Sequence, residues 1–223
     1  MQRFFDIMLS CIPLFLLLPI FIPVILVLRF TGEREIFYTQ ERVGKDGKTF
    51  GLLKFATMLR DSPNLGTGTI TLQNDPRILP FGGVLRKTKF NELPQLFNVL
   101  KGNMSLIGPR PLTKDRFCEY DCYTQKEVSR VRPGLSGVGS IVFRSEEKLL
   151  KDPTQSETIY REIIAPFKGE LEMWYVGHRS IKMYFILIIV TILVTVAPSR
   201  INLWKFYPLA PKPSNKLSDM LKL

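Results

Sequence analysis

Residues 89–112 read KFNELPQLFNVLKGNMSLIGPRPL, and this stretch decides how the middle of the chain is built. Leu93, Leu96, Phe97 and Leu100 recur at i, i+3, i+4 and i+7, the spacing of one buried helix face. The spacing predicts a helix over residues 92–100. Pro94 is tolerated there because a first-turn residue has no intrahelical use for its N–H, and Gly102 stands where a C-terminal stop belongs. A helix start near Asn91 and Glu92 would carry unsatisfied N–H groups and positive partial charge, which suits an anion. Arg86, Lys87 and Lys89 precede it closely. Beyond the helix, the two prolines of GPRP (108–111) hold Arg110 in a stiff, extended segment. Arg132, before Pro133 and Gly134, is presented in a second stiff turn. A guanidinium fork matches phosphate oxygens, and Glu92 can hold Mg2+, which usually binds one or two carboxylates plus substrate phosphates. The same residues also fit a capped helix, an ordinary turn and solvated surface charge.

On the N-terminal side, residues 7–28 form an uncharged run of 22, about 33 Å long as a helix at roughly 1.5 Å per residue. Asp6 in the leader and the ending VLRF argue against a cleaved secretory signal. Pro13, Pro19 and Pro23 each remove an N–H inside the run. A kinked helix that enters and leaves the bilayer by one face accommodates them, and a proline-tolerant span is the alternative. Arg3, Arg29 and Arg34 give no charge asymmetry to orient it. A second apolar run, residues 181–196, is short for a span and suits an interface or a core, with Pro198 ending it.

Between these runs, KDGK (45–48) reads as a hairpin turn with Asp46-Gly47 suited to positive φ, flanked by strand-like residues 36–38 and 50–55. Residues 61–76 are a loop by composition. Helices are predicted over 114–130 and 155–178, with a glycine-rich turn region at RPGLSGVGS. The fold expected is α+β: a membrane anchor over 1–30, a small, mostly helical cytoplasmic domain with a short β-hairpin over 31–178, an apolar membrane-associated helix over 179–198, and a tail over 199–223.

The net charge of +11 and pI near 9.7 fit three kinds of partner: nucleic acid, an anionic lipid surface or phosphorylated substrates. The basic residues are dispersed and no nucleic-acid motif is present, which favours a membrane surface plus a phosphate site over nucleic acid. Cys11, Cys118 and Cys122 make no disulfide framework. Cys118 and Cys122 can share a helix face but form a poor zinc site without further ligands. The single histidine, His178, excludes a His-rich metal cluster and is read as a surface residue.

The ordered motifs FD (5–6), TQERVG (39–44), KFATM (54–58), DPRI with LRKT (75–88), NELPQLFNVLKGNMSLIGPRPL (91–112) and VRPGLSG (131–137) closely resemble the bacterial sugar transferases of the monotopic phosphoglycosyl transferase family. The resemblance covers roughly residues 3–140 and continues more weakly to about 195. It implies transfer of a sugar-1-phosphate from a UDP-sugar to polyprenyl phosphate, usually undecaprenyl phosphate, with release of UMP. This would be the first membrane step of bacterial glycan assembly, as in lipopolysaccharide, at the cytoplasmic face of the inner membrane with Mg2+ as cofactor. It implies a re-entrant, Pro-broken anchor with its break at Leu18-Pro19, although family members usually carry a serine before that proline. Carried onto this chain, Glu92 is the essential carboxylate and metal ligand, Lys54 and Arg86 contact phosphates, and Arg110 and Arg132 contact donor or lipid phosphate. A homodimer is compatible with this reading.

Two departures matter. The family has Asp-Glu where this chain has Asn91-Glu92, and in the family that aspartate is the nucleophile of a covalent phosphosugar intermediate. An amide is a poor nucleophile and a poor Mg2+ ligand, so four readings stand. Glu92 attacks instead; or Glu92 serves metal or base while the lipid phosphate attacks directly; or Asn91 is an engineered or deamidating position; or the chain is a non-catalytic, membrane-docked nucleotide-sugar binder or scaffold. The second departure is VGSIVFRSEEKLL (138–150) in place of a Trp-Ala-Gln-Val-Asn-Gly-like segment. It makes Arg144, Glu146 and Glu147 candidates for donor choice, or simply a charged helix start.

Overall fold

The computed structural model describes residues 1–66, 71, 75–144, 146, 149–150, 153–196 and 203–221. Helix α1 spans Gln2–Phe30 and passes through Pro13, Pro19 and Pro23. It is long and apolar enough to cross a membrane. The break expected at Leu18-Pro19 does not interrupt it. Leu14 and Leu17 before Pro19, and Phe21 and Val24 after it, belong to one packed cluster, which holds the helix on both sides of that proline. Asp6, Ser10, Phe21, Val24 and Leu28 are buried, and the half-buried Pro13, Leu14 and Leu17 continue the same stripe. The opposite face, with Phe4, Met8, Ile12, Phe15, Ile22 and Leu26, is apolar and exposed, the pattern of a helix that shows one side to protein and the other to lipid.

Both ends of α1 dock on the same domain. Near its start, Asp6 Oδ1 accepts hydrogen bonds from Ser105 Oγ at 2.8 Å, the Leu106 N–H at 3.0 Å and the Tyr184 hydroxyl at 2.9 Å. Near its end, Phe21, Val24 and Leu28 pack with Phe55 and Leu85.

Strands β1 (Phe37–Val43) and β2 (Thr49–Phe55) form the antiparallel hairpin, with Tyr38 opposite Lys54 and Arg42 opposite Phe50. Both strands exceed the expected 36–38 and 50–55 limits or meet them at one end only. Asp46 and Gly47 take positive φ at the turn, 57° and 72°. Asn98 ties the hairpin to the next layer, donating to Gly51 O at 2.7 Å and accepting the Leu53 N–H at 2.9 Å.

Helix α2 (Pro80–Lys87) leads to a 3-10 turn, Phe90–Glu92, and then to α3, Gln95–Lys101. The single helix expected over 92–100 is therefore two pieces. The tighter turn shifts the helical phase: Leu96 and Val99 are buried, whereas Phe97, expected inside, is exposed. Gly102 ends α3 at φ 90°, and Arg3 donates to the carbonyls of Val99 and Leu100 at the same end.

Strand β3 (Ser105–Ile107) pairs in parallel with β4 (Gly134–Ser136). Between them lie GPRP, helix α4 (Lys114–Phe117) and helix α5 (Cys122–Ser129). One helix was expected over 114–130. Asp121 restarts it instead, its carboxylate capping the Tyr123 and Thr124 N–H groups at 2.9 and 3.0 Å. Cys118, just past the end of α4, and Cys122, at the start of α5, thus share no helix and, like Cys11, are free and exposed.

The chain continues through α6 (Val138–Val142), α7 (Pro153–Ile159), a π-helical turn (Tyr160–Ile164), α8 (Ala165–His178), α9 (Ile181–Val196) and α10 (Asn215–Leu221). Ile164, Leu171, Leu187 and Val190 form the centre of the largest core. Helix α9 therefore packs in the same core as α8, while its Ile189, Ile192 and Val196 remain exposed. Pro198, Glu147 and part of the 61–76 loop lie outside the described residues.

Replacing Asp6 by Ala leaves three buried donors without an acceptor and should cost about 3 kcal/mol. Thermal unfolding in detergent should show a melting temperature lower by about 6–12 °C. An unchanged melting temperature would show that the carboxylate does not hold α1 to the domain.

Candidate active site

A cavity of about 750 Å³ opens between the hairpin, the 3-10 turn, GPRP and the first turns after β4. Strand alternation sets its floor, because Tyr38, Gln40 and Arg42 share one face of β1 and Lys54 pairs across from Tyr38. Arg86 comes from the last turn of α2. Lys89, in the left-handed conformation at φ 62°, turns the chain so that Asn91 and Glu92 line the same space. GPRP brings Arg110 from the other side, its Nη2 3.6 Å from Glu92 Oε1.

Of the residues expected from sequence, Lys54, Arg86, Asn91, Glu92 and Arg110 line this one cavity. Arg132 does not. It is exposed, and its Nε donates to the carbonyl of Gly102 at 2.8 Å. The side chain satisfies the C-terminal end of α3, where orphan carbonyls favour a cation. At the helix start expected to bind an anion near Asn91 and Glu92, two N–H groups are already bonded. The N–H groups of Glu92 and Leu93 are used within the 3-10 turn by Lys89 O and Phe90 O, so side-chain cations supply the positive field. His178 is exposed, stacks on Trp174 and takes no part in the cavity.

Arg42, Arg116 and Lys168 also line the cavity, as do Arg144 and Glu146. The described lining residues include eight Lys or Arg side chains, Arg42, Lys54, Arg86, Lys89, Arg110, Arg116, Arg144 and Lys168, against two carboxylates, Glu92 and Glu146. This imbalance shows in the ionisation of each group. Burial pushes the Glu92 carboxyl upward, but Arg110, Lys54 and Lys89 outweigh it, so its pKa lies below the ordinary value. Burial pulls Arg110 down, and Glu92 and Glu146 more than offset that. Lys54 is lowered to about 7 by burial and then by Arg42. Arg42 is lowered to about 10, by burial and then by Arg110. Crowded, partly desolvated cations of this kind are relieved by a multiply charged anion.

Asn91 is buried at 6 % exposure, and its Oδ1 has no hydrogen-bond partner among the described residues. A buried carbonyl oxygen left open carries a desolvation cost of about 1–3 kcal/mol, which a donor or a hard cation would relieve. Glu92 offers a carboxylate and Asn91 Oδ1 an open, neutral and weaker oxygen, and no group of three or more His, Cys, Asp or Glu side chains suited to a metal occurs among the described residues. The donor set fits Mg2+ completed by substrate phosphates and does not form a protein-only cage.

Glu172, on α8, was not legible as part of this arrangement. It is 3 % exposed and its Oε1 accepts the Arg110 N–H at 3.3 Å. Burial raises its pKa to about 7. The only sequence signal was a charged residue at i+4 from Lys168 in a helix of mixed polarity.

A model of the bacterial sugar transferase family matches residues 1–198. The chain belongs to this family of transferases. It is 36% identical over 159 residues to the exopolysaccharide production protein ExoY of Sinorhizobium fredii, covering 65% of this chain and 70% of that protein. It is 32% identical over 193 residues to the exopolysaccharide production protein PSS of Rhizobium leguminosarum bv. phaseoli, covering 82% and 88%. It is 36% identical over 160 residues to the undecaprenyl-phosphate galactose phosphotransferase of Salmonella typhimurium, covering 66% of this chain and 33% of that longer protein.

The depressed Lys54 gives a pH dependence with a definite sign. Between about pH 7 and 10.5 the folded chain lacks a proton at Lys54 that the unfolded chain holds, so this group's contribution to stability rises with pH across that window. A diphosphate bound beside Lys54 would oppose the local positive field and favour the protonated amine. UDP binding should therefore take up protons above pH 7, and its Kd should rise with pH by up to about ten-fold per unit. Calorimetry in two buffers of different ionisation enthalpy reads both effects. Lys54→Arg should remove them, and a pH-independent Kd in the parent protein would contradict the assignment.

Proposed function

We propose that the chain transfers a sugar-1-phosphate from a UDP-sugar to polyprenyl phosphate and releases UMP. The observation that carries this reading is the two-sided cavity. Its floor is the cation cluster around Glu92, which suits a diphosphate. Its upper wall is apolar, formed by Leu9, Ile12 and Pro13 of α1 with Ile188 and Ile192 of α9. Ile12 and Ile192 also belong to the exposed apolar faces of those helices. An isoprenoid chain can thus lie on lipid-facing side chains while its phosphate reaches the floor. The acceptor named for the Salmonella relative, undecaprenyl phosphate, has this chemistry. Docking of both α1 ends on one domain supports attachment from a single side, and the supply of UDP-sugars makes that side cytoplasmic.

Asn91 cannot act as a carboxylate nucleophile, and Glu92 is held ionised and weakly basic by Arg110 and Lys54. Direct transfer is therefore favoured. A dianionic lipid phosphate needs no base, since a phosphomonoester's second pKa is about 6. Its oxygen attacks the β-phosphorus, a new P–O bond forms, the P–O bond to the bridging oxygen breaks, and UMP departs with that electron pair. Arg110, Lys54 and Arg86 hold and neutralise the diphosphate, so the protein's contribution is position and charge. Mg2+, held by Glu92 and Asn91 Oδ1 with substrate phosphates, would supply further charge neutralisation.

Incubation with a panel of UDP-sugars, polyprenyl phosphate and Mg2+ should release UMP. Glu92→Gln should lower the rate by about 10³-fold. Intact mass after donor alone should show no adduct, whereas a phosphosugar on Glu92 would establish the covalent route. The presence of Asn91 in place of an acid supports one competing reading, a nucleotide-sugar binder. Thermal stabilisation by UDP-sugars with no UMP from any donor would decide for it.

A further inference from the structure

The cavity has a second end, where its wall meets the exposed apolar side of α9. Thr191 and Thr195 stand about one turn apart on this helix, and both line the cavity. Each hydroxyl donates to the carbonyl four residues back, Leu187 O and Thr191 O, at 2.7 Å. Their lone pairs remain for other partners. Thr195 Oγ1 accepts from Arg144 Nη1 at 2.9 Å, and Thr191 Oγ1 lies 2.8 Å from Ser136 Oγ. Ile192 and Val196, on either side of Thr195, are exposed. The Arg144 guanidinium thus sits at the margin between the cavity and the apolar face of α9. A track of polar groups runs inward from there. Thr195, Thr191 and Ser136 follow one another, and Ser136 O accepts the Gly108 N–H at 2.9 Å, two residues before Arg110. Ser140, in α6, also lines the cavity, and its buried Oγ has no hydrogen-bond partner among the described residues.

Arg144 differs from the other cations of this wall. Lys168 donates to Glu146 Oε2. Arg116 is bidentate to Glu157 at 2.8 and 2.9 Å and lies over the Tyr160 ring at 4.7 Å. Among the described residues, Arg144 is hydrogen-bonded to a neutral hydroxyl and to no carboxylate. A half-buried guanidinium on an apolar margin suits a phosphate carried by a lipid. We propose that Arg144, Thr195 and Ser140 form a rim subsite that takes the phosphate of a membrane-borne isoprenoid phosphate before it reaches the floor. This proposal rests on the transferase reading above, adds the acceptor's route to it and gives Arg144 to the acceptor instead of the donor. The guanidinium N–H groups not used by Thr195 meet the phosphate oxygens, and the Ser140 hydroxyl supplies a further donor. The isoprenoid chain stays on Ile188 and Ile192, which line the cavity on the same helix.

The test reads binding separately from turnover. Radiolabelled polyprenyl phosphate is titrated onto the full chain in detergent micelles, UDP affinity is measured by calorimetry, and UMP release is followed with both substrates varied. Arg144→Gln should weaken polyprenyl phosphate about ten-fold and raise its KM in step. UDP affinity should stay within about two-fold, as expected for a separate subsite. Arg144→Lys, which keeps the charge, should recover part of the lost affinity. Thr195→Val keeps the shape and removes the acceptor of Arg144 Nη1; it serves where Arg144→Gln does not fold, and it should weaken polyprenyl phosphate about three-fold. Polyprenol, inorganic phosphate and phosphatidylglycerol are the competitors, and each should displace the label at least about ten-fold less well than unlabelled polyprenyl phosphate. Equal displacement by inorganic phosphate or phosphatidylglycerol would make the rim a general phosphate site and overturn the proposal. So would unchanged polyprenyl phosphate affinity in the variants, or an equal loss of UDP affinity. Binding that depends on Arg144 without any UMP release would instead strike the transferase reading and leave the rim subsite standing.

Discussion

Two backbone segments touch in this protein at a distance only glycine allows, and the active cavity depends on that contact. A Cβ at Gly134 would lie 2.1 Å from Gly108 N, and one at Gly137 would lie 2.1 Å from Gly108 O. The contact lies at the end of the parallel pair β3–β4 and seats the start of GPRP against RPGLSG. Both prolines of GPRP then stiffen the chain that leaves Gly108. Glu172 accepts the Arg110 N–H, and the Val43 N–H bonds Leu112 O at 2.9 Å, so the segment is fixed on both sides of the arginine. Arg110 therefore faces Glu92 because the surrounding main chain has no alternative path.

Around that fixed arginine the protein gathers more positive charge than it can neutralise internally. Burial is the first cause of the lowered Lys54 and Arg42, and repulsion from neighbouring cations lowers both further. The one ionised acid among the floor cations, Glu92, is correspondingly easy to keep charged. Such a site is strained electrostatically when empty and relieved when filled. An anion bound there would gain from relief of internal repulsion as well as from new hydrogen bonds.

Much of this was legible along the chain, and the failures have definite causes. Strand-like composition around Asp46-Gly47 marked the hairpin, and the proline bracket marked Arg110. The helix near Leu96 was visible, but its phase was not, because the left-handed Lys89 and the 3-10 turn rotate the face by a conformation that side-chain hydrophobicity does not encode. Arg132 looked equivalent to Arg110 because both precede proline; only the fold shows that one faces the cavity and the other closes the end of α3. Lys168, Glu172 and Tyr160 were hidden for a different reason. Their partners, Glu146, Arg110 and Arg116, lie 22, 62 and 44 positions away in sequence, and long-range pairing of polar groups leaves no periodic trace.

The carboxylate of Asp6 makes the anchor an internal part of the catalytic body. Its three donors come from β3 and α9, and β3 continues directly into GPRP. Displacement of the first helix would therefore unseat the strand that leads into the arginine loop, so the apolar helix and the cleft are mechanically coupled through a single carboxylate.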